Sequence, residues 1–218
     1  MEVDKTNSRK LKAVETKKRI YESAVELIKI HGLDHISVDS IVEKAGVSKG
    51  AFYVHYESKF SLIAEYISTL DLNYEEYFAS LPPDKKPSEL LILVTEKIAD
   101  ILINNIGLDL IKIIYEAQLK RTLDTAKVLS YNRKLYQIYK QIIKQGVQQG
   151  EFKAAINIDS ISNHCIMSIR GITYEWCIRF PDFDLKEEIL KHLDILLTGI
   201  KNSRPVGRAG NQNSDSLL

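Results

Sequence analysis

Residues 48–56 read SKGAFYVHY, and the order of these side chains suits noncovalent recognition of a polyanion. Ser48 offers a hydroxyl that can satisfy free helix amides or meet a phosphate oxygen. Lys49 adds a mobile cation, and Tyr53 and His55 end in groups that hydrogen-bond phosphate. Gly50 and Ala51 have almost no side chain, so the backbone there can approach base edges, and the Ala51 methyl can touch that of a thymine. Phe52 and Tyr56, four apart, fall on the opposite side of a helix and are expected to anchor it in a core with Val47, Ile41 and Val42. Lys59 stands at the next helix start, where its charge can add a further phosphate contact.

Short helices must hold these groups in place. Ile20, Ala24, Leu27, Ile28 and His31 recur at helical spacing, and Gly32 supplies a left-handed stop. Ser37 can cap a second helix with Val38, Ile41, Val42 and Ala45 inward, and Gly46 ends it. Ser48 caps a third helix reaching about residue 55, and Ser58 a long fourth one running through Ile63 and Leu70 toward Phe78. Helix, glycine turn and helix make a helix-turn-helix, a unit that also serves as a simple packing corner. The outward face decides between these uses: glycine and alanine suit a groove better than a solvated surface. A helix-turn-helix that grips another protein is the alternative.

Residues 16–63, TKKRIYESAVELIKIHGLDHISVDSIVEKAGVSKGAFYVHYESKFSLI, resemble the DNA-binding domain of the tetracycline-repressor (TetR) family of bacterial regulators. The Ile-Ser-Val entry, the Ala-Gly-Val-Ser turn, Lys-Gly and the aromatic run stand in the family's order. The resemblance implies phosphate contacts from Ser37, Tyr53, His55 and Lys59 and groove contacts from Ser48, Lys49, Gly50 and Ala51. Val54 departs from the tyrosine common in the family, which removes one such contact. Further along, RGITYEWCIRFPDFDL is similar to the penultimate-helix ending of many members. The family implies an all-α homodimer paired through its last two helices as a four-helix bundle, a ligand pocket in each C-terminal domain, and repression of a near-palindromic operator relieved by a small molecule.

The remaining chain accommodates that architecture. LPPDKKPS, residues 81–88, is a proline-marked connector, and the functional division is expected earlier, within the fourth helix. The expected organisation is a DNA-binding unit over 1–60 with a basic arm, a ligand-binding and dimerisation unit over 61–201, and a disordered tail over 202–218. Helices are expected at about 108–119, 123–149, 158–179 and 185–201, the last opened by Asp184 with Glu187 three residues on. Leu185, Ile189, Leu193, Leu196, Leu197 and Ile200, with Ile161, Cys165, Ile169, Ile172 and Trp176, are expected to supply the apolar faces that pair two subunits. Eleven tyrosines are many for this length, and a ring with a polar tip suits a cavity for an amphipathic or aromatic molecule. Tyr66, Tyr74, Tyr115, Tyr131, Tyr139 and Tyr174, with Met167 and Gly171, form the expected ligand set, and the effector's identity is unread.

Composition excludes several classes. Apolar residues make 44% and charged residues 27% of the 218-residue chain, the balance of a soluble globular protein. No apolar run approaches the length of a spanning helix, and the polar opening does not read as an export signal, so no membrane partner and a cytoplasmic location are expected. Net charge is +1, yet Lys5, Arg9, Lys10, Lys12, Lys17, Lys18 and Arg19 cluster against Glu15 alone, a pattern that tracks an anionic surface or marks a solvated terminus. Cys165 and Cys177, about 18 Å apart along one helix, cannot bond within it. His31, Asp34 and His35 could ligate a metal, but their places on a core face and in a turn favour structural roles. No H-E-x-x-H, G-x-S-x-G or phosphate-cradling loop is present, and His164 beside Cys165 lacks a third group. Neither an enzyme, a metal site nor a cofactor is expected.

Overall fold

The computed structural model describes residues 2–32, 35–121 and 130–202. Among them are nine α-helices, one π-helical segment and no strand beyond a single bridge between Phe152 and Lys201. Helix α1 spans Glu2–His31, α2 Val38–Ala45, α3 Lys49–His55, α4 Lys59–Ser80 and α5 Pro87–Asp100. After the π-helical segment Ile101–Ile106 come α6 Leu108–Leu119, α7 Lys134–Gln148, α8 Ile158–Arg179 and α9 Leu185–Ile200.

Local chemistry explains the boundaries. Gly32, with φ 77°, takes the left-handed conformation that ends α1. The basic segment expected as an arm is helical, forming the first turns of α1. Pro87 fills the first position of α5, where its missing N–H costs nothing. The Glu151 carboxylate accepts from the Ser88 amide and hydroxyl beside it, tying α5 to the residues after α7. Asp184 accepts from the Glu187 amide at 2.8 Å and caps α9 as its sequence predicts. The expected helix over 123–149 is observed from Lys134; residues 122–129 and the tail from 203 lie outside the described residues.

Two apolar cores result. The first gathers Ile20, Ala24, Ile28, Ile41, Phe52 and Tyr56 from α1 to α3. It does not stop at residue 60, because Leu62 and Ile63 of α4 and Leu110, Ile113 and Ala117 of α6 complete it. The second, larger core packs α5, α7, α8 and α9 around the fully buried Tyr139, whose hydroxyl shares a 2.6 Å hydrogen bond with Thr95. Tyr66 and Ile106 touch both cores.

The faces expected between subunits point inward. Leu185, Ile189, Leu193, Leu197 and Ile200, with Cys165, Ile169 and Trp176, are buried in the chain's own core. Leu196, Ile161 and Ile172 pack against it half-buried. The sequence hides this because α8 and α9 are apolar on more than one side, so periodicity alone cannot say which face meets a partner. The outward side of α8 carries Met167, Gly171, Tyr174 and Ile178, at positions i, i+4, i+7 and i+11, and α9 adds Ile195, 68% exposed. Burial pushes the Cys165 thiol up to about 12, which leaves it protonated and inert.

Candidate nucleic-acid interface and effector cavity

The helix-turn-helix is closed by short-range hydrogen bonds. Ser37 caps α2 by accepting from the Ser40 amide at 3.0 Å, and the Ser40 hydroxyl accepts from the Ser37 amide at 3.0 Å. Gly46, with φ 61° and ψ 42°, ends α2 in a left-handed cap; its amide donates to Glu43 and that of Val47 to Val42. Arg19 of α1 donates to the carbonyls of Ala45 and Gly46, so a cation of the basic segment sits on the negative end of α2. Ser48 then caps α3 through a 3.1 Å bond from the Ala51 amide.

Helix α3 splits cleanly by face. Phe52 is fully buried and Tyr56 nearly so, their rings 5.7 Å apart. The Tyr56 hydroxyl donates to Glu65 at 2.9 Å, and the Lys17 ammonium pairs with the same carboxylate at 2.9 Å while lying over the Tyr56 ring. Burial, then the bond to Glu65, pushes the Tyr56 hydroxyl well above its ordinary pKa. This trio fixes α1, the end of α3 and α4 to one another. Outside stand Ser48, Lys49 and Gly50, with Ala51 and His55 half-buried, Tyr53 at 53% exposure and Val54 at 79%. A Cβ added to Gly50 would meet only the Ser48 hydroxyl, at 3.8 Å, so its bareness answers no need of the fold.

The expected DNA contacts divide into two groups. Ser37, Ser48, Lys49, Gly50, Ala51, Tyr53 and His55 belong to the entry of α2 or to α3 and its cap. Lys49 is engaged by Asp39, N–O 2.8 Å, which raises its pKa chiefly through the hydrogen bond. Lys59 is turned toward the protein, donating to the Ile36 carbonyl at 3.1 Å beside Ser37. Lys17 and Arg19, counted in the sequence among charges for an anionic surface, hold the helices together. Sequence periodicity does not reveal this, because their partners lie on other helices.

A cavity of about 140 Å³ opens in the larger core between α4, α5, α6, α7 and α8. Tyr74 and Tyr115 of the expected ligand set line it. The other six members do not. Tyr139 is fully buried and bonded to Thr95. Tyr66 donates to the Asn105 carbonyl at 3.2 Å, between the two cores. Tyr131 is exposed and packs edge-on to Tyr136, 5.1 Å between centroids. Met167, Gly171 and Tyr174 fall on the outward side of α8, Tyr174 packing edge-on to Tyr115 from outside the lining. No neighbour lies within 4 Å of a Cβ built on Gly171, so no close backbone approach within the chain accounts for that glycine.

The polar lining that tyrosine spacing did not reveal is Gln118, Arg133, Tyr136, Arg170 and Thr173. Arg133 forms a two-pronged pair with Asp71, at 2.9 and 2.8 Å, both side chains largely buried. Arg170 donates to Gln118 at 3.2 Å and hydrogen-bonds Tyr136. A signal for it was available: Arg170 shares the inward stripe of α8 with Ile166, Ile169 and Thr173, where an arginine interrupts an apolar pattern. Tyr115, its hydroxyl raised by burial to about 12, donates to the Arg170 carbonyl at 2.8 Å. Of the sequence's metal candidates, Asp34 lies outside the described residues, among which no three or more His, Cys, Asp or Glu side chains group to hold a metal. No described helix is long and apolar enough to cross a membrane.

Comparison with known proteins agrees with this architecture. Residues 20–66 match the family model described as bacterial regulatory proteins, tetR family. The chain is 38% identical over 52 residues to the uncharacterised HTH-type transcriptional regulator YxbF of Bacillus subtilis, a match spanning 24% of this chain and 14% of that one. It is 25% identical over 205 residues to the HTH-type transcriptional regulator AcrR of Shigella flexneri, covering 86% and 90% of the two chains. The fold is similar to that of Thermus thermophilus FadR, with TM-score 0.72, 23% identity and coverage of 89% of this chain and 100% of the other. Residues 20–66, which hold the helix-turn-helix, therefore match the tetR family of bacterial regulatory proteins, and the helical remainder is similar in fold to a structure described as a TetR family transcriptional repressor.

Proposed function

We propose that this protein is a ligand-responsive transcriptional repressor that binds a near-palindromic operator as a homodimer in the cytoplasm. One observation carries the reading: α3 buries Phe52 while presenting Lys49, Gly50 and Tyr53 outward on a turn rigidly capped by Ser48 and Gly46. Each subunit sets α3 in the major groove, with Ala51 and the Gly50 backbone at base edges and Ser37, Tyr53 and His55 at phosphates, the two helices about 34 to 36 Å apart along the duplex. The Lys49–Asp39 pair is exposed and contributes little to stability. It opens when DNA takes the place of the carboxylate beside Lys49.

The test is a salt titration with a duplex from upstream of the protein's own gene. Lys49→Ala is expected to weaken binding and to lower the slope of log K against log salt, because one cation per subunit is withdrawn from the polyanion. Asp39→Asn, removing a negative charge beside the DNA, is expected to raise affinity several-fold at low salt. Unchanged binding in both variants would overturn the assignment of this face.

Dimerisation is supported by the apolar outward side of α8 and α9, where Met167, Tyr174, Ile178 and Ile195 stand exposed and Gly171 and Gly199 leave room for close approach. Ile195→Glu is expected to shift the protein from dimer to monomer in analytical ultracentrifugation and to abolish high-affinity operator binding. A dimer that survives this change would remove the assignment. An effector is supported by the cavity and by the similar FadR of T. thermophilus, whose structure is a complex with lauroyl-CoA. Helix α6 joins the two parts, with Leu110, Ile113 and Ala117 in the N-terminal core and Ile111, Tyr115 and Gln118 on the cavity. A ligand that reshapes this cavity favours a dimer with wrongly spaced reading heads.

A further inference from the structure

Resting on the effector reading above, we infer that the effector is a small organic acid, an anion with a ring-sized apolar body, whose carboxylate is held by Arg170. The cavity wall is mostly aliphatic, with Leu70, Ile98, Leu102, Ile111 and Ile169 among its residues. No aspartate, glutamate or lysine lines it. It holds two arginines, and they differ in kind. Arg133 is neutralised by Asp71 in a two-pronged ion pair. Arg170, half-buried, has Gln118 and the Tyr136 hydroxyl, both uncharged, as its partners among the described residues. A cation held in an apolar wall without a counter-charge is costly, and an anion in hydrogen-bond reach offsets that cost.

A second group points to the same occupant. Tyr74 lines the cavity, is 4% exposed, and its hydroxyl has no hydrogen-bond partner among the described residues. That hydroxyl is open to the cavity rather than sealed in the core, since no sealed side-chain oxygen among the described residues lacks a partner. The other polar tips are in use: Tyr115 donates to the Arg170 carbonyl and Thr173 to that of Ile169. The lining therefore leaves one cation and one hydroxyl for a ligand, amid aliphatic side chains.

Size narrows the class. About 140 Å³ is close to the roughly 150 Å³ of an apolar cavity known to take benzene. Benzoate or a short-chain acid such as hexanoate fits this scale, whereas a nucleotide-bearing thioester does not.

Calorimetric titration of the full-length protein with benzoate and hexanoate, each against its neutral amide, tests the inference. The acids are expected to bind at least about tenfold more tightly than benzamide and hexanamide, the discrimination expected of a charge-assisted contact. Arg170→Gln should abolish that preference, and Arg170→Lys should keep most of it. If Arg170→Gln fails to fold by circular dichroism, Tyr74→Phe serves, with an expected several-fold loss of benzoate affinity and an unchanged melt. Equal binding of acid and amide, no binding of either acid, or unaltered benzoate binding by Arg170→Gln would each overturn the inference. Tighter binding of lauroyl-CoA than of benzoate would overturn its size limit. A neutral compound that releases the operator where both acids fail would remove the anion site and leave the regulator standing. Benzoate binding by a protein that binds no operator would support the site and remove the regulator.

Discussion

Phe52→Ala is expected to destabilise the N-terminal core by about 3–5 kcal/mol, the range for deleting a fully buried aromatic side chain, and to abolish operator binding. Phe52 has no exposed surface and packs with Tyr53 and Tyr56, ring centroids 5.4 and 5.7 Å away. It is the one buried side chain α3 itself contributes, so without it a seven-residue helix has nothing to hold it in register. Urea denaturation followed by circular dichroism, with a mobility shift at the same temperature, should show DNA binding lost while most helical signal persists, since Tyr139 and its neighbours pack in the other core. Tyr53→Phe is the control, with an unchanged melt and a smaller loss of affinity from one hydroxyl. Full stability of Phe52→Ala would mean the ring is not the anchor described.

Gly146→Ala is expected to destabilise the chain by about 3 kcal/mol, lowering the melting temperature by roughly 6–12 °C at this size. A Cβ at Gly146 would meet three ring carbons of Phe152, at 2.1, 2.3 and 2.9 Å. The ring cannot step aside: Phe152 is 1% exposed, and its amide donates to the Gly146 carbonyl at 3.0 Å. A differential scan tests this, with Phe152→Leu in the Gly146→Ala background expected to recover part of the loss by vacating the overlap. Gly199→Ala, where a Cβ meets nothing within 4 Å within the chain, should leave the melt of a monomeric background unchanged or raise it slightly. A melt unaltered by Gly146→Ala would show that the Phe152 ring moves freely.

Local signals in the sequence determine much of the first sixty residues. Ser37, Gly46 and Ser48 are caps whose chemistry acts within a few positions, and each does in the structure what its type and spacing predict. Asp184 is the same case. Long-range choices were less legible. Met167, Gly171 and Tyr174 recur on α8 at helical spacing, but so do Ile166, Ile169 and Thr173, and only the packing of α7 and α9 decides which stripe turns inward. Aromatic spacing located two of the sixteen lining residues because cavity walls are assembled from five helices, whereas periodicity reports one helix at a time. The π-helical turn before Gly107 left no local mark in the sequence, since the amide of Gly107 reaches back five residues to Leu102 for reasons set by packing on both sides.

Helix α6 separates its obligations by angle. Leu110, Ile113 and Ala117 form one stripe against the N-terminal core, and Ile111, Tyr115 and Gln118 form another against the cavity. Substitutions on the second stripe can alter which molecule is accepted without disturbing the first, while the helix's stiffness still carries any tilt from one side to the other. Chemical taste and mechanical transmission can thus change independently over evolutionary time, because a single rigid rod keeps them on different faces.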